Sequence, residues 1–133
     1  MRVQRLLTIT MIGLVTLAIA GAGLYFTTAQ QTRFDNPAFV AAQQDGRSIL
    51  VHVTATWCGT CQQQLRVVAN LAHHPDYRNL EIFQLDYDSQ REASQHFNAR
   101  QSTMIVYRGG QEVGRIFADA NPTSIETLLR MVL

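Results

Sequence analysis

Residues 48–61 read SILVHVTATWCGTC, and this stretch decides the fold. Its first half, Ser48 to Thr54, is rich in β-branched and apolar residues that barely alternate with polar ones. That pattern predicts a central strand covered on both faces. Cys58 and Cys61, the only 2 cysteines of the chain, follow at once. They therefore fall where the first strong strand gives way to a helix.

The spacing of the two cysteines excludes a purely structural role for them. A Cys-x-x-Cys closes so small a loop that the disulfide contributes little to stability. A secreted disulfide scaffold carries four or more cysteines spread along the chain. A zinc site would need two further ligands, and the histidines form no matching pair at finger spacing. Those histidines are His52, His73, His74 and His96. We expect redox chemistry, with no metal and no bound cofactor.

The position of the pair favours that chemistry. At the entry to a helix, unpaired backbone N–H groups and the macrodipole would stabilise Cys58 as an anion. A thiol of ordinary pKa of about 8.5 falls to about 7 or lower there. Cys61 lies one helical turn further on, where it can resolve a mixed disulfide. Gly59 and Thr60 keep the turn small, and Trp57 is expected to supply a flat apolar wall beside the attacking sulfur.

The rest of the chain alternates helix and strand patterns. The sequence predicts a helix from Asp35–Pro37 to Gly46, a helix over 62–72, a strand over 80–85, a short helix over 89–97, strands over 103–107 and 112–117 joined at Gly109–Gly110, and a last helix from Asn121–Pro122. Residues 27–33 read as a polar tether, and Asp88 is expected to cap the short helix. This order predicts an α/β fold with a mixed sheet of about four strands flanked by helices.

Residues 6–26 read LLTITMIGLVTLAIAGAGLYF and carry no charge. As a helix rising about 1.5 Å per residue, they would cross a hydrocarbon core of about 30 Å. Arg2 and Arg5 precede the run, which places the N-terminus in the cytoplasm and exports the chain beyond Phe26. The alternative is a cleaved signal peptide, since Ala18–Ile19–Ala20 and Ala20–Gly21–Ala22 both resemble cleavage sites. Export results from either interpretation.

The chain of 133 residues is therefore divided into two parts. Residues 1–30 form an N-terminal hydrophobic helix, serving as membrane anchor or signal peptide, with a tether. Residues 31–133 form one domain, because the length suits one core. The formal net charge is +1 and the basic residues are scattered, which excludes a nucleic-acid-binding surface.

Three segments together resemble a thioredoxin-family domain, from about Asp35 to Leu133. They read SILVHVTATWCGTC, LEIFQLDYDSQ and FNARQSTMIVYRGGQEVGR, and a closing amphipathic helix comes after them. The likeness is to membrane-anchored or periplasmic thioredoxin-like proteins of bacteria. It implies a thioredoxin fold, Cys58 as nucleophile and Cys61 as resolving cysteine. It also implies protein disulfides and dithiols as partners. If the domain is exported, its topology implies a membrane electron donor that re-reduces the Cys58–Cys61 pair.

The chain departs from the family pattern at three positions. Thr60 stands where thioredoxins usually have proline. The loss of that proline should raise the reduction potential. Ser102, before Thr103, takes the place of the family's cis-proline in the substrate groove. We expect a trans peptide before Ser102, and its hydroxyl is placed to bond a thiolate. His52 stands where many thioredoxins bury an acid, and either relays a proton to Cys61 or is a core histidine satisfied by a hydrogen bond.

The leading interpretation is a reductase for disulfides of envelope proteins. We expect it in the cytoplasmic membrane with one span and its domain on the periplasmic side, or secreted to the periplasm after signal cleavage. Two alternatives stay open. One is net oxidase or isomerase activity by the same residues. The other is a thioredoxin-fold module that binds partners or handles metal without catalysis.

Overall fold

The computed structural model describes residues 29–133, which fold around one mixed β-sheet. The predicted anchor at residues 6–26 lies outside the described residues and stays a prediction. From residue 29 onward, no helix is both long and apolar enough to cross a membrane. The elements in chain order are β1 (Gln31–Arg33), α1 (Asn36–Gln44), β2 (Ser48–Thr54), α2 (Gly59–Ala72), a 3-10 turn (Pro75–Tyr77), β3 (Glu81–Asp86), α3 (Arg91–His96), β4 (Thr103–Arg108), β5 (Gln111–Phe117) and α4 (Pro122–Arg130).

The sheet has the strand order β1-β3-β2-β4-β5 across residues 29–133. Strand β2 lies at its centre, parallel to β3 and antiparallel to β4. Its five inner residues are buried, because helices cover both faces of the sheet. The predicted central strand is therefore confirmed with its bounds, Ser48–Thr54. The chain runs from the C-terminal end of β2 directly to the cysteine pair.

The prediction of about four strands was wrong by one, because the described chain contains β1 as well. Residues 31–33 were expected to belong to a tether. They instead pair in parallel with the outer edge of β3, with Thr32 opposite Phe83. A strand edge presents unpaired backbone groups, which a passing polar segment satisfies without any side-chain pattern of its own. Three residues with no alternation gave the sequence no strand signal.

Two hydrophobic layers enclose the sheet. On one face, α2 and α4 pack over the strands through Val68, Ala72, Ile125 and Leu128. On the other face, α1 and the segment after α3 cover β2, β3 and β4 through an aromatic cluster. Its members are Phe34, Phe39, Phe83, Phe97 and Tyr107, whose ring centroids lie 5.3–6.3 Å from their neighbours. The cysteine pair therefore lies at the N-terminus of α2, a helix that packs on the sheet through Val68 and Ala72.

Two predicted helix starts are confirmed by their caps. The Asp35 carboxylate accepts a hydrogen bond from the Ala38 N–H at 3.0 Å, with proline in the first turn. The Asn121 side-chain oxygen accepts from the Thr123 N–H at 2.9 Å, again ahead of a proline. The predicted hairpin turn is also present, and Gly109 there has a φ of +57°, which favours glycine. Local side-chain chemistry decided these boundaries.

The start of the short helix differs from the prediction. Helix α3 begins at Arg91 with Gln90 at the cap position, and no side chain caps it. The expectation that Asp88 caps this helix was wrong. Its carboxylate instead accepts a hydrogen bond from Trp57, 31 residues earlier in the chain.

Candidate active site

Cys58 is the N-cap residue of α2. The chain leaves β2, turns through a hydrogen bond from the Cys58 N–H to the Ala55 carbonyl at 3.1 Å, and enters the helix at Gly59. The Cys61 N–H points back at the Cys58 sulfur, with 3.2 Å between nitrogen and Sγ. A first-turn N–H and the helix dipole therefore act on this sulfur, as they would on an anion.

The two cysteines are joined by a disulfide, with 5.3 Å between their Cα atoms. Cys58 keeps 8% of its surface exposed, whereas Cys61 is fully buried. Only the first sulfur is within reach of another molecule, because the second lies behind it against β2. Attack by Cys58 and resolution by Cys61, as the sequence predicts, would require this difference in exposure.

Ser102 lies directly beside the disulfide. Its hydroxyl oxygen is 3.0 Å from the Cys58 Sγ and 3.2 Å from the Cys61 Sγ. Neither sulfur of a disulfide carries a proton, so the hydroxyl is the donor. The residue is buried and has a φ of +67°, the left-handed region that non-glycine residues seldom adopt.

The backbone at Ser102 is incompatible with the proline that the resemblance would place there. The peptide before it is trans, as expected, since residues 29–133 contain no cis peptide bond. Proline fixes φ near about −65° and has no N–H. Here φ is positive, and the Ser102 N–H donates to the Val53 carbonyl at 2.9 Å. The groove is therefore built differently at this position.

Thr103 supports the loop. It is buried, and its hydroxyl oxygen accepts a hydrogen bond from the Arg100 N–H at 3.2 Å. The hydroxyl is thus committed to the turn that precedes β4, and Ser102 is the residue of this pair that meets the sulfurs.

The remaining predicted residues form the rim of the site. Trp57 is 62% exposed, and its indole Nε1–H donates to the Asp88 carboxylate at 2.8 Å. Gly59 is exposed, with open space where a Cβ would lie, and Thr60 is half-buried. The indole of the residue before Cys58 is therefore an exposed apolar surface held in place by its bond to Asp88.

His52 is fully buried on β2. Burial lowers its pKa from the ordinary value of 6.5 to about 4, partly offset by a hydrogen bond with Gln64. Its Nε2 lies 2.9 Å from the Gln64 Oε1. A proton relay to Cys61 would need a link that the hydrogen bonds of residues 29–133 do not contain. The core histidine with a satisfied ring nitrogen is the interpretation that fits this geometry.

Sequence reasoning missed Gln64. It is fully buried on the same face of α2 as Cys61, Val68 and Ala72. Its signal was present, because it lies three residues after Cys61, where the helical repeat calls for an apolar side chain. Tyr87 was also missed as a site residue, and it packs from the loop after β3 against the small cluster that Ala55 forms with the two cysteines.

Across residues 29–133, no three side chains of His, Cys, Asp or Glu come together as a ligand set. The cysteine sulfurs have a serine hydroxyl beside them and no histidine in hydrogen-bond contact.

The buried histidine makes stability depend on pH. We expect the free energy of unfolding to fall as the pH drops from 6.5 toward about 4. In that window the unfolded chain protonates His52 and the folded chain does not, so stability rises with pH. The full difference corresponds to a free energy on the order of 3 kcal/mol. Urea denaturation at a series of pH values measures it.

The matching variants are His52→Leu and His73→Gln. His52→Leu should flatten the pH dependence in this window, whatever its effect on stability at neutral pH. His73→Gln changes an exposed histidine at the end of α2 and should keep the wild-type slope. An unchanged slope in His52→Leu would contradict the prediction.

The Cys58 sulfur caps a helix in a residue that keeps 8% of its surface exposed, and it is bonded to the sulfur of the fully buried Cys61. Such an arrangement exchanges disulfides with other thiols. With the mixed sheet and its helices, it defines the class of the molecule as a thiol–disulfide oxidoreductase.

Comparison with known proteins gives the family. The Thioredoxin family profile matches residues 27–131. "Putative thioredoxin-5" of Dictyostelium discoideum is 31% identical over 85 residues, covering 63% of this chain and 80% of its own length. Thioredoxin Asp f 28 of Aspergillus fumigatus is 27% identical over 99 residues, covering 74% and 90%. The crystal structure of Trxlp from Edwardsiella tarda EIB202 superposes with a TM-score of 0.71 at 37% identity, covering 74% and 98%.

The chain belongs to the thioredoxin family. Its activity is protein thiol–disulfide oxidoreduction, and its substrates are protein disulfides. The predicted thioredoxin fold is confirmed, with a fifth strand added.

Proposed function

We propose that the chain reduces disulfides of exported proteins through Cys58 and Cys61, held at a membrane by residues 6–26. The observation that carries the chemistry is Cys58, a residue 8% exposed whose sulfur lies 3.2 Å from the backbone nitrogen of Cys61. Export is supported by the sequence alone, through the uncharged run that comes after Arg2 and Arg5.

The reaction has two steps. The Cys58 thiolate attacks one sulfur of a substrate disulfide, forming a mixed disulfide and expelling the other substrate sulfur as a thiolate. The Cys61 thiolate then attacks the Cys58 sulfur. This closes the Cys58–Cys61 disulfide and releases the second substrate sulfur, which takes up a proton. Two electrons pass to the substrate, and the enzyme is left oxidised.

Each turnover therefore needs two electrons to reopen the Cys58–Cys61 disulfide. An exported domain is out of reach of soluble cytoplasmic reductants. We infer that the donor is a membrane protein with a reactive dithiol on the same side, which attacks the Cys58 sulfur.

A second candidate is net oxidation of substrate dithiols. The Ser102 hydroxyl donates toward both sulfurs, and such a bond is stronger to a thiolate than to a disulfide. It therefore favours the reduced enzyme and raises the potential. The potential of the Cys58–Cys61 couple separates the two directions. A value near about −270 mV, as in thioredoxin, supports the reductase, and one near about −120 mV supports the oxidase.

Trapping in cells tests the proposal as a whole. The full chain with Cys61→Ser is expressed in a bacterium with a two-membrane envelope, and thiols are blocked before lysis. We expect mixed disulfides on Cys58 that dithiothreitol releases, with partners that carry export signals. Protease added to spheroplasts should digest residues 29–133 from the outside.

The double variant Cys58→Ser/Cys61→Ser is the matched control and should trap nothing. Partners drawn only from cytoplasmic proteins, or a domain protected from external protease, would overturn export and leave the thiol chemistry standing. A Cys61→Ser variant that traps no protein at all would overturn the assignment of Cys58 as the attacking residue.

A further inference from the structure

The side chain of Gln64 joins three separate segments beneath the redox site. Its Oε1 lies 2.9 Å from the His52 Nε2 on β2. Its Nε2 donates to the Ser102 carbonyl at 3.1 Å and to the Asp119 carbonyl at 2.9 Å. A fully buried amide is costly unless its polar atoms are bonded, and here both amide protons and the oxygen are used.

These contacts fix the orientation of the amide and the tautomer of the histidine. The carbonyls of Ser102 and Asp119 only accept hydrogen bonds, so the Gln64 NH₂ group must face them. Its oxygen therefore faces His52, and the His52 Nε2 must carry the proton. The His52 Nδ1 is then an unprotonated nitrogen, and it has no hydrogen-bond partner among the described residues. The histidine acts as a neutral donor that holds the amide in place.

Ser102 needs such support. Its left-handed backbone is strained for a residue other than glycine and persists only where its surroundings fix it. The N–H is held by Val53, and the carbonyl accepts from the Ala118 N–H at 3.0 Å as well as from Gln64. Gln64 is the only side chain among these three partners. It reaches Ser102 from α2, the helix that carries Cys61.

We propose that Gln64 is a positioning residue for disulfide exchange, holding Ser102 so that its hydroxyl donates to the Cys58 sulfur when that sulfur becomes a thiolate. A hydroxyl bond to a thiolate is charge-assisted and stronger than one to a disulfide sulfur. The clamp therefore stabilises the reduced, ionised enzyme. This inference rests on the proposed role of Cys58 as the attacking thiol and is independent of where the protein resides.

The test uses purified Gln64→Met, Ser102→Ala and the double variant. The pH dependence of alkylation by iodoacetamide reports the pKa of Cys58, because Cys61 is buried. Equilibration with glutathione reports the stability of the disulfide. We expect Gln64→Met to raise the pKa of Cys58 and to shift the equilibrium toward the disulfide by about fivefold, the effect of one ordinary hydrogen bond. Ser102→Ala should do at least as much.

The double variant decides whether Gln64 acts through Ser102. If it does, Gln64→Met adds nothing further in the Ser102→Ala background. Gln63→Met changes an exposed neighbour on the same helix and should leave the pKa of Cys58 and the equilibrium as in the wild type. Additive effects of the two substitutions would overturn the proposal. So would a Gln64→Met protein with lowered thermal stability and an unchanged pKa and equilibrium.

A second variant covers failure of Gln64→Met to fold. His52→Leu/Gln64→Met replaces both partners of the buried hydrogen bond with apolar side chains and leaves no orphaned histidine. It also lacks the clamp on Ser102, so the same rise in the pKa of Cys58 is expected. The glutathione readout needs no protein partner, so failure here is distinct from failure to trap exported substrates.

Discussion

Cys58→Ser should lower the rate of insulin disulfide reduction by at least about three orders of magnitude, because no other sulfur reaches the surface of residues 29–133 as a thiol. Serine is nearly the same size and keeps the oxygen as a helix cap, so the fold should survive. The rate is measured with dithiothreitol as donor, from the turbidity of the precipitating insulin chains. Circular dichroism verifies that the variant is folded.

Cys61→Ser is the matched variant for this prediction. It retains the attacking thiol and loses the resolving one, so we expect a single stoichiometric burst of mixed disulfide and no comparable turnover. The contrast follows from the exposed fractions of the two residues, 8% for Cys58 and 0% for Cys61. If Cys58→Ser still turned over at a tenth of the wild-type rate, the assignment of the attacking thiol would be abandoned.

Phe39→Ala should cost about 3–5 kcal/mol in free energy of unfolding. The ring is 5% exposed and is the main anchor of α1 on the sheet. Its centroid lies 5.3 Å from Phe97, 5.4 Å from Tyr107 and 5.6 Å from Phe34. Removing it leaves a cavity that these fixed rings cannot fill. Urea denaturation at neutral pH measures the loss.

Val40→Ala is the control for this prediction, since Val40 is the next residue of α1 and 39% exposed. It should change the free energy of unfolding by no more than about 0.5 kcal/mol. Phe39 lies on the face of the sheet opposite α2, so the pKa of Cys58 should be unchanged in folded Phe39→Ala. If Phe39→Ala lowered the free energy of unfolding by less than about 1 kcal/mol, the aromatic cluster would have repacked to fill the cavity, contrary to the prediction.

The site keeps the chemistry of its family with a different set of supporting groups. A serine in a left-handed conformation lies beside the sulfurs, and its carbonyl accepts a hydrogen bond from Gln64, which also bonds His52. The serine hydroxyl is a neutral hydrogen-bond donor beside both sulfurs of the disulfide. We therefore expect the reduction potential to be the property in which this protein differs most from thioredoxins that have proline at the positions of Thr60 and Ser102.

The sequence alone determined the parts of the molecule that depend on neighbours a few residues apart. The bounds of β2 followed from an unbroken apolar run, and the starts of α1 and α4 followed from Asp35 and Asn121 ahead of prolines. The cysteine pair at the strand-to-helix junction followed from the same local signals. Propensity, capping and turn chemistry act within one helical turn, so the sequence alone is enough to predict their effects.

Only the tertiary structure decided the contacts between distant residues. Strand β1 exists because the edge of β3 accepts it, 50 residues further along the chain. Asp88 bonds Trp57 and leaves α3 uncapped, and Gln64 links His52 to Ser102. The fold decides these contacts, because packing brings together side chains whose separation in sequence carries no periodic signal.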